Sequence, residues 1–177
     1  MEDHALADVL GCALAFVDAK CMAEQHLLFA TIRRPWTMPF SPFLTRVQDY
    51  LANDYFAVSP FTAPKIERLW LRLRPEPGPT AQYPNSSPRG AITAGSTRRD
   101  RLAREIGERR SLTLEASTKP WGPWTAFLEV TLAQLQPEDP PDFEFDPFLD
   151  GRGLVPRGFV HALRHGAYAG SRAGREH

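Results

Sequence analysis

Residues 66 to 74 read IERLWLRLR and alternate without a break. Leu69, Leu71 and Leu73 fall on one side; Arg68, Trp70, Arg72 and Arg74 fall on the other. A period of two with one apolar side is the pattern of a half-buried antiparallel strand. SLTLEAST (111 to 118) and WTAFLEVTLAQL (124 to 135) alternate in the same way, with the turn-like KPWGPW between them. DVLGCALAFV (8 to 17) and HLLFATI (26 to 32) are short continuous apolar runs that predict buried strands. Gly11 in the first of these would permit close backbone approach.

Other segments carry the helical period. RRPWTMPFSPF breaks regular structure three times with Pro, and within it Ser41 followed by Pro42 makes a good helix start as cap and first helical residue. Phe43, Val47, Tyr50 and Leu51 follow at helical spacing and predict an amphipathic helix over 42 to 54, with Asn53 as its stop. DRLAREIGERR (100 to 110) predicts a short polar helix capped by Asp100, with Leu102 and Ile106 on its apolar side. A last helix is expected to start near Pro156 and to pack through Phe159, Val160, Leu163 and Ala167. Residues 75 to 99 are rich in Pro, Gly, Ser and Thr with little to bury, and read as a mobile loop. Residues 136 to 153 are acidic and Pro-rich, with Phe143, Phe145 and Phe148 as anchors. The sum is an α+β chain: a single domain over 1–177, with about five strands in an antiparallel, barrel-like curved sheet and a helix near each end.

Composition narrows the function classes. The 177 residues suffice for one domain with a core. The 21 basic and 21 acidic residues cancel, so no global charge favours nucleic acid or an anionic membrane. The basic pairs Arg33-Arg34, Arg98-Arg99 and Arg109-Arg110 are scattered among acids, as on a solvated surface. No apolar run approaches a membrane span, and MEDHALADVLG lacks the basic-then-apolar order of a signal peptide. Cys12 and Cys21 form no CxxC pair. A cytoplasmic protein with two incidental thiols is the expectation.

The chemistry-bearing stretch is GLVPRGFVHALRHGAYAGSRAGREH, near the end of the chain. Arg164 and Tyr168 are four apart, and His161 lies one turn earlier. On a helix, an i, i+4 Arg–Tyr pair is ordinarily a packing or cation–π contact. His161 and His165 have a spacing that can bind a metal, but no carboxylate joins them at fixed spacing. Asp150, His161 and Ser171 lack a nucleophile elbow around the serine. The glycines at 151, 153, 166, 170 and 174 make no phosphate loop. Trp36, Phe40 and Phe43 either pack in the core or line a pocket beside a planar cofactor.

Several segments, taken in order, resemble the catalase superfamily of haem proteins, in particular its small catalase-related branch. ADVLGCALAF resembles the family's segment ending in an Arg-Gly-Phe-Ala-type strand. LLFATIRRPWTMPFSPF resembles the strand and Pro/Phe-rich stretch that follow it. NDYFAVSPFTAPKIERLWLRLRP resembles the motif that leads into a barrel strand. The stretch from LEVTLAQL to GAYAGSR resembles the last barrel strand, its Asp-Pro-Phe turn and the haem-ligand helix. The resemblance covers most of the chain apart from 75 to 99.

The resemblance implies haem as cofactor. It places Tyr168 as the ligand of ferric iron, with Arg164 in the Arg-x-x-x-Tyr position and Arg175 as a further basic residue near the haem. A phenol ordinarily titrates near pH 10, roughly, and must lose its proton to bind iron. A cation at i, i+4 favours that loss. Tyrosinate is a known haem ligand. The implied activity is a haem-dependent peroxidase or oxidase acting on a peroxide or an organic substrate. Three family features have no counterpart. The distal His belongs to a strand before the ADVLG segment, and this chain starts seven residues before Asp8. The distal Asn belongs near LLFATI, which has none. The propionate-pairing Arg falls at Leu10. A catalytic residue is therefore not assigned. The alternative is a haem-free, N-terminally shortened relative that binds a small ligand or a partner, including a second copy through an open sheet edge.

Overall fold

The structure is a computed structural model, and it describes residues 8–17, 20, 23–33, 40–47, 49–76, 97–134, 145, 146, 149, 151 and 153–158. All five expected strands are present: β1 (Gly11–Val17), β2 (Glu24–Ala30), β5 (Ile66–Pro75), β6 (Ser111–Ser117) and β7 (Thr125–Thr131). Three short strands join them: β3 (Tyr55–Ala57), β4 (Phe61–Ala63) and β8 (Val155–Pro156). Every pairing is antiparallel. The order β1-β2-β3-β5-β4-β8, with β6 beside β5 and β7 beside β6, makes one sheet curled into a half-barrel. This bears out an α+β fold with a barrel-like antiparallel sheet. No described helix is long and apolar enough to cross a membrane.

The period of two places the core. Leu69, Leu71 and Leu73 of β5 are buried, and pairing carries their face across the neighbouring strands. Tyr55 opposes Leu73, Phe29 opposes Ala57, and Leu114 opposes Leu73 from the other side. Leu27, Leu51, Phe61 and Leu112 complete this cluster. Each fully buried Leu or Phe contributes roughly 1.5–3 kcal/mol by removal from water, so the sheet's inner face holds the fold together. Gly11 does not enforce a close approach. A Cβ there would meet the Phe29 carbonyl oxygen at 3.8 Å, an ordinary contact.

The helices depart from expectation. The amphipathic helix over 42 to 54 is only α1 (Ser41–Leu44), followed by irregular backbone and a 3-10 turn, Tyr50–Ala52. Thr45 is extended at φ −84°, ψ 131°, which ends the helix. Side-chain hydrogen bonds then offer the backbone an alternative to helical pairing. Asn53 accepts from Arg46 N at 2.8 Å and donates to the carbonyls of Arg46 and Asp49 at 3.0 and 2.7 Å. Asp49 accepts from Leu51 N at 2.9 Å. Val47 and Leu51 still reach the interior, whereas Phe43 is 78% exposed.

The second helix, α2 (Arg98–Gly107), starts earlier than expected, and its cap is Thr97. Thr97 Oγ accepts from Asp100 N, and the Asp100 carboxylate accepts from Thr97 N at 2.9 Å, a reciprocal capping box. These hydrogen bonds hold the Asp100 carboxyl below its ordinary range, the backbone one first. Leu102 and Ile106 are half-buried, as their spacing implies. The expected mobile loop of 75 to 99 is shorter at both ends, since Pro75 closes β5 and 97 to 99 open α2. Its remainder, 77 to 96, lies outside the described residues. Pro156 pairs with Phe61 as part of β8, and Phe159, Val160, Leu163 and Ala167 of the expected last helix lie outside the described residues. α1 and α2 both lie between strands of the sheet.

Candidate functional site

A cleft of about 650 Å³ opens where the end of β2, α1 and the 45–54 turn meet β3. Its floor is a relay of hydroxyls. Leu10 N donates to Thr31 Oγ at 3.1 Å, and Thr45 Oγ donates to the Ser41 carbonyl at 2.8 Å. The two hydroxyls lie 2.8 Å apart. A hydroxyl has one proton, and that of Thr45 is spent on Ser41, so Thr31 donates to Thr45. Neither hydroxyl has a proton left for a ligand. Asn53, also in the wall, spends both its amide protons on backbone carbonyls.

The donors the cleft does present are guanidinium groups. Arg33 and Arg46 both line it and both are exposed. Arg33 sits over the Phe56 ring, 5.9 Å from its centroid. Arg46 is held at its backbone by Asn53, which leaves its side chain on the rim. Phe56, Leu44 and Ala52 supply the apolar part of the wall.

Asp54 is the acid of this lining, and it is engaged from behind. Its carboxylate lies 3.7 Å from Arg72 Nη1. Arg72 also pairs with buried Glu115 and stacks over Trp124, 4.7 Å from the ring centroid. Trp124 meets Phe56 edge-on at 6.3 Å. The alternation of β5 makes this possible: Arg72 projects from the face opposite Leu71 and Leu73, between Phe56 and Glu115 on adjacent strands. The wall behind the cleft is thus an aromatic–cation stack tied by carboxylates.

The residues singled out from the sequence fall elsewhere. Tyr168, Arg164, Arg175 and His161 lie outside the described residues, as does Trp36. Phe40 and Phe43 are described: Phe40, just before α1, is 65% exposed and Phe43, on α1, is 78% exposed, and neither lines the cleft. Among the described residues no group of three His, Cys, Asp or Glu side chains could hold a metal ion. Tyr55 is no substitute ligand, since its hydroxyl donates to the Tyr50 carbonyl at 2.7 Å and burial raises its phenol well above the ordinary range. Burial likewise pushes the Cys12 thiol up to about 11, which makes it a poor nucleophile near neutral pH. Seven of the ten residues lining the described cleft are polar or charged.

Sequence reasoning passed over two features. Arg33 and Arg46 gave no signal beyond a scattered basic pair and one more cation. His26 is buried at 3% exposure on the sheet's second face. Its Nδ1 accepts from Asp146 N at 2.8 Å, and its ring stacks on Phe145 at 5.0 Å and 11°. The expected anchor role of Phe145 is therefore met on β2. No model of a known protein family matches the chain, and no curated protein is found similar to it.

Proposed function

We propose that this chain is a haem-free binding protein on a catalase-related scaffold, and that the Arg33–Arg46 cleft takes a small organic anion. The observation that supports this is the division of labour in the lining. Thr31, Thr45 and Asn53 have their protons committed within the protein, and Asp54 faces Arg72. The guanidinium groups are left as the cleft's donors. Guanidinium forks match carboxylate and phosphate oxygens, and Phe56 and Leu44 offer an apolar surface beside them. The ligand class is a carboxylate or phosphate ester with a flat apolar portion.

A thermal-shift panel of benzoate, phenyl phosphate and nucleoside monophosphates tests this. At least one member is expected to stabilise the protein saturably, and Arg33→Gln or Arg46→Gln to abolish the shift. No stabilisation by any member, or shifts unchanged in both variants, contradicts the reading.

A second reading keeps haem on the segment bearing Arg164, Tyr168 and Arg175. It is favoured by the Arg-x-x-x-Tyr spacing after an antiparallel, barrel-like sheet. Haem would supply the redox chemistry for a peroxide or organic substrate. Titration with hemin tests it: a Soret band lost in Tyr168→Phe supports it, and no band sinks it.

A further inference from the structure

We propose that β7 is a dimerisation edge and that two copies of this chain join through antiparallel pairing of residues 128–132. The inference stands independently of the cleft.

Three observations carry it. First, among the described residues β7 pairs only with β6, so its outer edge meets no strand. Its side chains are open to both sides: Phe127 is 52% and Leu128 40% exposed, and only Val130 of the strand is half-buried. An edge strand presenting apolar side chains and unpaired backbone is a template for another strand.

Second, the hydrogen-bond parity is right. Leu132 N donates to the carbonyl of Arg110, the residue before β6, at 2.9 Å. Backbone groups alternate sides along a strand, so residues 128, 130 and 132 bond inward. The N–H and C=O of Glu129 and Thr131 therefore point outward.

Third, the sequence Leu128-Glu129-Val130-Thr131-Leu132 is self-complementary about Val130. A twofold axis there sets Leu128 opposite Leu132 of the copy, Glu129 opposite Thr131, and Val130 opposite itself. The outward-pointing residues then form the hydrogen-bonded pairs, giving four N–H···O=C bonds across the axis. No carboxylate directly opposes its twin. The β-bulge between Leu114 and Glu115, which leaves Phe127 without a partner on β6, lies just outside this stretch. Leu114, opposite Leu128, brings the apolar inner face of the sheet to the junction, so pairing continues that face into the second copy.

Sedimentation velocity on the full chain over a range of concentrations tests the proposal, with three variants at position 131. Wild type is expected to sediment as a concentration-dependent dimer. Thr131→Pro removes an outward N–H without touching a bond to β6, and should give a monomer. Thr131→Glu sets like charges opposite Glu129 and should also dissociate it, whereas Thr131→Lys should tighten it by about tenfold. The double change Glu129→Lys with Thr131→Glu should restore the dimer. Because the charge variants keep the backbone donor, they decide the matter if the proline variant does not fold. A wild-type monomer at every concentration overturns the proposal, as does a dimer indifferent to all these changes.

Discussion

Arg72 and Glu115 face each other across β5 and β6, with Nε and Nη2 both 2.5 Å from the same carboxylate oxygen. Both side chains are nearly buried, at 13% and 11% exposure. Removing one partner leaves a charge in a poorly solvated place, whereas replacing both with apolar groups removes the problem. Glu115→Ala is expected to cost about 3 kcal/mol in urea unfolding. The double variant Arg72→Met, Glu115→Leu should cost far less than the sum of the single changes. Additive losses would show that the two charges do not act as a pair.

Asn53 closes the turn that carries Arg46 to the rim of the cleft. Asn53→Asp keeps the acceptor to Arg46 N but sets carboxylate oxygens against two carbonyls. A loss of about 2 kcal/mol is expected. Amide exchange at Leu51 and Ala52 should accelerate in parallel. Unchanged stability would mean that the turn is set by α1 and β3 alone.

His26 ties Phe145 and Asp146 to β2 by a stack and an accepted hydrogen bond. His26→Phe keeps a flat ring but removes the acceptor, so the Asp146 amide should exchange faster while the Phe145 ring remains packed. His26→Ala should release both. Exchange of the Asp146 amide at the wild-type rate in His26→Phe would deny the hydrogen bond any separate role.

Cys12 and Tyr55 give the protein an alkaline limit. Burial raises the Cys12 thiol from 9.0 to about 11, and raises Tyr55 further. The folded state then holds protons that the unfolded chain releases, so this stability is complete below about pH 9 and lost as pH rises through 11. Urea midpoints should stay level from pH 7 to 8.5, as far as these groups are concerned, and fall above 9. In a Cys21→Ala background, the Cys12 thiol should resist a disulfide reagent at pH 8 until urea unfolds the chain. Rapid labelling of the native protein would contradict this burial.

The strands were legible because their physics is local. The alternation of Leu69, Leu71 and Leu73 fixes which side of β5 is apolar, and the pairing partners only have to match it. β3, β4 and β8 are two or three residues long, and neighbours rather than propensity set them. The 42–54 segment misled for a related reason. Phe43, Val47, Tyr50 and Leu51 carry a helical period, but Asp49 and Asn53 spend their side chains on the backbone and break it. Thr97 was overlooked because Asp100 is itself a good cap; in the fold it serves as the third residue of the same capping box. The cleft was least legible. Arg33 and Arg46 acquire meaning only when the turn and β2 are brought together, which no sequence spacing announces.

The arginine side chains themselves report most directly on the cleft. With 15N-labelled arginine, phenyl phosphate should shift the Nε–H signals of Arg33 and Arg46 saturably, with assignments taken from the two Gln variants. The Arg72 signal, held by Glu115 and Asp54, should stay in place. Signals of Arg33 and Arg46 that do not move, or that move no more than those of every exposed arginine, would contradict an anion site in this cleft.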